Sequence, residues 1–367
     1  SSYQDYLYLM DYDAGKFIVT YAVNPVSGQL GYGNKIAFIN KLSGDTIYTK
    51  HIGNSYDGFG LAIDNQKNIY CTRFDSVDKL DAAYPHNRIW SKRYSLSVNN
   101  YHGLYCDTVQ NELFCFGNIN STFKRPLIVK VNAATGTSVS SYTIPSYAEA
   151  KFQSMVVKNN FLYINWRHIY VGGGTYPYLV TKYDKSSGTA PWSIAYSFTG
   201  VGSFSSHSGN GSSALSIDID NNDDVYATGY YGDANYGPEN WGIIKIKGSG
   251  GNIVYEKTIT DDSLHYNNIS TGMAACVINN QPYFVGNLET FHQNGYERSK
   301  VVLVKLNSNS GSLVQKTYFQ GTYKFPSRVL AIEKYLQNNT LVLTQVGRMV
   351  NLEMYDINKN TVWKTTL

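Results

Sequence analysis

Short runs in which apolar and polar residues alternate recur along the whole chain, separated by clusters of Gly, Asn, Asp and Ser. In the segment ALSIDIDNNDDVYATG beginning at Ala214, Leu215, Ile217 and Ile219 alternate with Ser216 and Asp218. That is the two-residue period of a half-buried strand, and no helical period competes with it. The same order of run, Asp-centred turn, Tyr-bearing run, Lys-bearing run and tight Gly turn appears in GLAIDNQKNIYCT from Gly60 and in GLYCDTVQNELFCFG from Gly103, which PLIVKVNAATGTSVSSYTI follows. Asp220 to Asp224 and Gly248 to Gly251 read as the turns between runs.

The repeat length is about 50 residues, a spacing that belongs to stacked or radial arrays. Third strands with the turn after them are read at KIAFINKLSGD, RIWSKRY, LIVKVNAATG, YLVTKYDKSSG, IIKIKGSGG, VVLVKLNSNSG and NLEMYDINKN. Seven copies predict an all-β, seven-bladed β-propeller with four antiparallel strands per blade. Six or eight blades are the alternatives, because the second and seventh copies are degenerate. The expected blades are 1–53, 54–98, 99–146, 147–200, 201–260, 261–320 and 321–367, within one domain 1–367. A solenoid or a pair of sandwiches fits the period less well.

The pattern resembles the broad class of β-propeller repeat proteins whose blades carry an Asp turn, a Tyr strand ending in Gly, and a Lys strand followed by a Gly turn. The matching residues are Asp220, Tyr226, Gly229, Lys245 and Gly251, with Asp64 and Tyr70, and with Asp107, Gly117, Lys130 and Gly136. The seventh copy departs from it, with Glu353 and Asp356 and no turn Gly. Such repeats occur in sugar binders, adhesins, scaffolds and some enzymes, so the resemblance implies a fold and leaves activity open.

Loop lengths within the repeat predict sidedness. Connections between first and second strands and between third and fourth are short, whereas those between second and third are read as long: Asn24 to Asn34, Phe74 to Asn87, Asn118 to Arg125, Trp166 to Pro177, Tyr230 to Asn240 and Asn287 to Ser299. The elaborated face is the expected binding face. Its candidates are Tyr32, Tyr56, Trp166, Tyr170, Tyr176, Tyr230, Tyr231, Tyr236, Trp241 and Tyr296, with Tyr84 and His86 on the second copy's loop. Aromatic rings beside amides and hydroxyls suit sugar rings and protein partners alike.

Composition narrows the setting. A net charge of +4 with 16% charged residues, singly scattered, shows no basic stripe for nucleic acid. No apolar stretch is long enough to span a bilayer. The 33 tyrosines, with abundant Asn, Ser and Gly, suit an extracellular binding surface, although codon bias accounts for such an excess equally well. The start at Ser1-Ser2 suggests an extracellular or cell-surface protein after removal of a leader. Sequons at Asn120, Asn210, Asn268 and Asn338 are glycosylation candidates, Asn120 and Asn338 lying in expected loops.

Three candidate chemistries follow. A two-residue turn at Gln110 and Asn111 would set Cys106 opposite Cys115, a geometry open to a cross-strand disulfide, while Cys71 and Cys276 stay free. Asp218, Asp220, Asn222 and Asp224 have a spacing similar to calcium loops but lack the later bidentate acid; the competing reading is a solvated turn. His102, His207 and His265 precede first strands of different blades and, with Asp57, would form an acid/base or metal set if they converged on the axis. No nucleophile elbow, zinc-protease or phosphate-loop motif is present. The reading is a noncatalytic extracellular binding or assembly protein without cofactor, holding a glycan, a protein or its own copies. The alternative is a metal-assisted hydrolase or lyase with its site at the channel mouth.

Overall fold

A computed structural model describes residues 8–23, 33–53, 60–73, 75–94, 98–119, 125–144, 150–168, 178–198, 213–231, 240–260, 268–291, 297–318, 327–335, 339–346, 349–355 and 361–366. These residues form seven four-stranded antiparallel sheets, each strand pairing with the next in sequence. The sheets cover 8–53, 61–92, 98–143, 150–196, 213–259, 268–318 and 327–366. No α-helix occurs among the described residues. The chain divides into two compact units, Ser1–Phe152 and Gln153–Leu367.

Within each unit the sheets stack face to face, and that stacking explains the unbroken apolar runs of the middle strands. Ile69, Cys71 and Leu80 of the second sheet pack with Ile18, Ile36 and Phe38 of the first, whereas Tyr70 and Val77 point the other way, into Leu113, Cys115 and Val129 of the third. In the second unit Val225, Ala227, Ile244 and Ile246 meet Tyr163 and Val180, while Tyr226 and Ile243 meet Phe284, Val302 and Val304. Strands buried on both faces have no solvent side on which to place polar residues.

The repeated Tyr and Lys join neighbouring sheets. In the second sheet the Tyr70 hydroxyl lies 2.9 Å from Asp64 Oδ2 and 3.0 Å from the Ala133 carbonyl of the third sheet's last turn. Lys79 pairs with Asp64 at 3.3 Å, donates to the same Ala133 carbonyl, and sits 5.0 Å from the Tyr70 ring. Lys245 repeats this in the fifth sheet: it donates to Ser308 O of the sixth at 2.9 Å, pairs with Asp224 at 3.1 Å and lies 5.1 Å from the Tyr226 ring. In the fourth sheet Lys182 donates to Gly248 O of the fifth at 3.0 Å. A buried ammonium is tolerable when paired and hydrogen-bonded, and Lys79 and Lys245 meet both conditions, while Lys182 has its carbonyl bond and the rings of Phe161 and Tyr163.

The accepting turn is itself specified by sequence. Asn132, Asp184 and Asn307 each accept, through Oδ1, the backbone N–H groups two and three residues on, and a Gly with positive φ closes the turn. At Gly251 (φ 74) an added Cβ would lie 3.2 Å from Trp192, and at Gly311 (φ 68) 2.6 Å from Tyr255. Gly251 and Gly311 therefore serve twice, permitting the left-handed backbone and admitting an aromatic ring from the fourth strand of the preceding sheet.

The second sheet corrects the expected register. Its third strand is Ser76–Leu80 and RIWSK forms the fourth, Arg88–Lys92. Lys79 is thus the repeat lysine, and this copy is regular in its middle strands. The segment 81–87 is a long connection between third and fourth strands, whereas second and third strands are joined tightly after Arg73. Tyr84 and His86 accordingly belong to the turns face expected to be plain.

One pattern escaped the alternation rule. In six sheets the fourth strand carries a β-bulge, at Ile47, Ile89, Val139, Val254, Val314 and Val362. Each of these β-branched residues is 45% to 58% exposed. The fourth sheet has no bulge there, with Trp192 directly opposite Lys182. Bulges twist an outer edge away from further strand pairing and set the following residue opposite the third strand's lysine position.

The disulfide expectation is overturned. Glu112 pairs with Asp107, so Cys106 faces Leu113 and Cys115 faces Leu104. The loop is four residues long and not two, because Asp107 Oδ1 accepts the N–H groups of Val109 and Gln110 and Asn111 takes a positive φ. All four cysteines are free and buried.

Candidate functional site

Four of the ten expected binding aromatics are described, and packing engages them. Trp166 and Trp241 are fully buried and Tyr230 is nearly so. Trp241 donates Nε1 to Thr228 Oγ1 at 2.7 Å, and Tyr231 stacks on Phe198 at 4.5 Å while its hydroxyl meets Thr258. Trp166, Trp241 and Tyr230 are thus taken up by packing, while Tyr231 is partly exposed. Tyr32, Tyr56, Tyr170, Tyr176, Tyr236 and Tyr296 lie outside the described residues, as do His207, His265, Asp57, Asn120, Asn210 and Asn338. His102 and Asn268 are placed only as backbone, in the strands Val98–Asp107 and Asn268–Ile278.

The calcium-like carboxylates do not form one cage. Asp220 Oδ1 accepts the N–H groups of Asn222 and Asp224, and its Oδ2 accepts the Tyr226 hydroxyl. Asp224 pairs with Lys245 and Lys247 and accepts the Gly248 N–H. Asp218 points elsewhere, accepting Ile219 N and, at 2.5 Å, Val277 N of the sixth sheet. The Lys245 ammonium occupies the position between Asp220 and Asp224 that a cation would need. Among the described residues no group of three or more His, Cys, Asp or Glu is placed to hold a metal ion.

Two carboxyls titrate in opposite senses, for reasons visible in these contacts. Burial raises the Asp218 pKa to about 6, only partly offset by the two N–H groups it accepts. Burial also pushes Asp224 upward, but the Gly248 N–H and the lysines at 245 and 247 outweigh it and leave its pKa lowered.

The described surface that departs most from the repeat is the seam where the loop 81–87 of the second sheet packs against the first sheet. The loop 81–87 holds a cis Tyr84-Pro85 bond, and His86 stacks on Phe38 of the first sheet at 4.6 Å. His86 is held by Asp81 O, 2.8 Å from its Nδ1. Tyr84 is 73% exposed, with its ring edge against Tyr48 at 4.9 Å. Lys50, from the first sheet, donates to Pro85 O at 2.8 Å and so ties the loop across the seam.

Behind the loop, Asp78 is fully buried. Arg73 Nη1 at 3.3 Å and Arg88 Nε at 3.2 Å both reach its Oδ2, while Oδ1 has no hydrogen-bond partner. Lys50, Arg73 and Arg88 all lie within electrostatic range of the Cys71 thiol, whose pKa burial and Asp78 nonetheless raise far above the usual range. A signal for this cluster was present in the sequence: Arg73, Asp78 and Arg88 alternate in phase along three strands once the correct third strand is recognised.

Comparison with known proteins places the fold. No protein-family model matches the chain, and no curated protein sequence does. Among solved structures, an ulvan lyase is similar at a TM-score of 0.64 and 10% identity, covering 97% of this chain and 92% of that one. The WD40 domain of Pan2 from Neurospora crassa matches at 0.61 and 11% identity over 98% and 90% of the two chains. The β-propeller domain of the Trilobed protease from Pyrococcus furiosus matches at 0.53 and 12% identity over 97% and 98%. With its four-stranded meanders, the chain has the β-propeller fold. At these identities the likeness carries the fold alone.

Proposed function

We propose that this chain is a noncatalytic extracellular binding protein, a propeller of seven blades with one blade per four-stranded sheet, whose ligand is held where the copies differ. The observation that supports this reading is the contrast between recurrent and non-recurrent polar residues. Asp64, Lys79, Asp220, Lys182 and Lys245 recur; the three lysines each donate to a carbonyl of the next sheet, and Asp64 and Asp220 hold the lysine and tyrosine of their own sheets. The seam at 81–87 does not recur, and it presents an exposed aromatic ring with partly satisfied cations. Rigid repeats carrying one divergent surface are a common way to hold a glycan or protein partner.

A glycan array combined with light scattering tests this reading. Binding of a glycan class, or concentration-dependent association with itself or a partner, is expected. A monomer that binds nothing on the array would overturn it.

A further inference from the structure

We propose that the seam between the first and second sheets binds the sulfate or carboxylate groups of an acidic polysaccharide, with Asp78 as the positioning residue that aims two arginines outward. This rests on the binding reading above and names the ligand class for one surface of it. The charge balance is the first ground. Arg73 and Arg88 share the Asp78 carboxylate, and Lys50 reaches the Pro85 carbonyl of the same loop, so among the described residues three cations here have one carboxylate partner between them. Neutralising a buried Asp78 needs one arginine, so the second guanidinium and Lys50 exceed the structural requirement.

The geometry is the second ground. Both guanidiniums converge on the same carboxylate oxygen, which fixes their separation and orientation before any ligand arrives. Their side chains remain 37% and 50% exposed. Arg88 engages Asp78 through Nε, and its two terminal nitrogens make no hydrogen bond to a described residue. Those nitrogens form the planar fork that matches a sulfate or carboxylate.

The third ground is Tyr84. Its exposed ring adjoins Pro85, whose carbonyl takes the Lys50 ammonium, so an apolar plate lies at one end of the cationic row. Pyranose C–H faces stack on such a plate while their acidic substituents meet the cations. Asp81, the carboxylate of the same loop, accepts the Ala83 N–H through Oδ1. Charges elsewhere are scattered singly, without the extended stripe that a nucleic-acid backbone requires.

The test is calorimetric titration of the full chain with size-fractionated dextran sulfate, a polyuronate, neutral dextran and oligo(dT), at several salt concentrations. Saturable binding of the first two is expected, weakening with a log–log salt slope of roughly two to three if each cation displaces one counterion. R88Q should weaken affinity about tenfold or more. K50Q and Y84S, which leave Asp78 and both arginines in place, should weaken it about threefold each. K257Q, which removes the same charge from the fifth sheet, should change nothing.

Wild-type affinity in K50Q and Y84S together, equal loss in K257Q, equal binding of neutral dextran, or tighter binding of oligo(dT) would each overturn the proposal. An array hit unaffected by these variants would leave the binding function standing and remove only this site.

Discussion

Replacing Lys245 by methionine keeps most of the aliphatic stem and removes the ammonium that joins the fifth sheet to the sixth. Lys245 is almost completely buried, and its Nζ contacts Asp224 Oδ2 at 3.1 Å, Asp220 Oδ2 at 3.8 Å and Ser308 O at 2.9 Å. Asp224 retains Lys247 and Gly248 N, but Asp220 loses its sole charged partner among the described residues. Removing one member of a buried ion pair costs about 3–5 kcal/mol. The lost cation–π contact with Tyr226 adds roughly 0.5–2 kcal/mol, partly offset by the retained sulfur-bearing stem. A destabilisation of about 4 kcal/mol is expected from urea unfolding followed by tryptophan fluorescence at pH 7.

The sign of the pH dependence gives a second readout. Asp224, whose pKa is lowered, contributes stability that is present above its unfolded value and lost as pH falls through the folded one. K245M should therefore lose less stability than wild type on acidification below pH 4. As a control, K16A breaks the exposed pair with Asp13 and should cost under about 1 kcal/mol. Equal costs for K245M and K16A would refute the assignment of the repeat lysines as the joints between sheets.

Other outcomes follow from single contacts. Asp218, raised to about 6, favours folding below its unfolded pKa and loses that contribution as pH rises from about 4 to 6. D218N should therefore gain roughly 3 kcal/mol relative to wild type between pH 4 and pH 7; a pH-independent difference would contradict its burial. G311A should cost about 2–5 kcal/mol by thermal unfolding, combining the left-handed φ with the Tyr255 clash; a loss below about 1 kcal/mol would deny that close approach. Thiol titration without reductant should find four free cysteines in denaturant and negligible reaction in the native state, where burial raises Cys106 to about 12; two titratable thiols would restore the disulfide.

The strands and turns were legible because short-range chemistry specifies them: alternation, an Asp or Asn opening each turn, and a Gly closing it. The joining role of Tyr70 and Lys79 was not, since their partner Ala133 lies in another repeat. Ser76–Leu80 was missed as a third strand because its five residues follow a tight turn, and RIWSK beyond the long loop took its place. The Cys106 register failed for a related reason: one Asp107 carboxylate oxygen lengthened a loop by two residues and moved every pairing beyond it. Trp166 and Trp241 read as loop residues but lie at strand ends, where burial of a large ring outweighs any display to solvent. Bulges were invisible because an extra residue breaks the alternation from which strands are read.

The cationic seam joins residues from three strands and one loop of the second sheet to Lys50 of the first. Each of these is ordinary in its own segment. Their convergence depends on the corrected register, in which Asp78 lies beside Cys71 and Ser91. Sequence spacing alone does not bring Arg73 and Arg88 to one oxygen.

The central claim is that the chain holds its ligand without transforming it. Incubating the protein with an acidic polysaccharide, while following complex formation by calorimetry and chain length by size-exclusion chromatography, measures both halves of that claim together. Saturable binding with unchanged chain length is the predicted result. Progressive shortening of the polysaccharide would contradict the account and move attention to the channel-mouth set of His102, His207, His265 and Asp57.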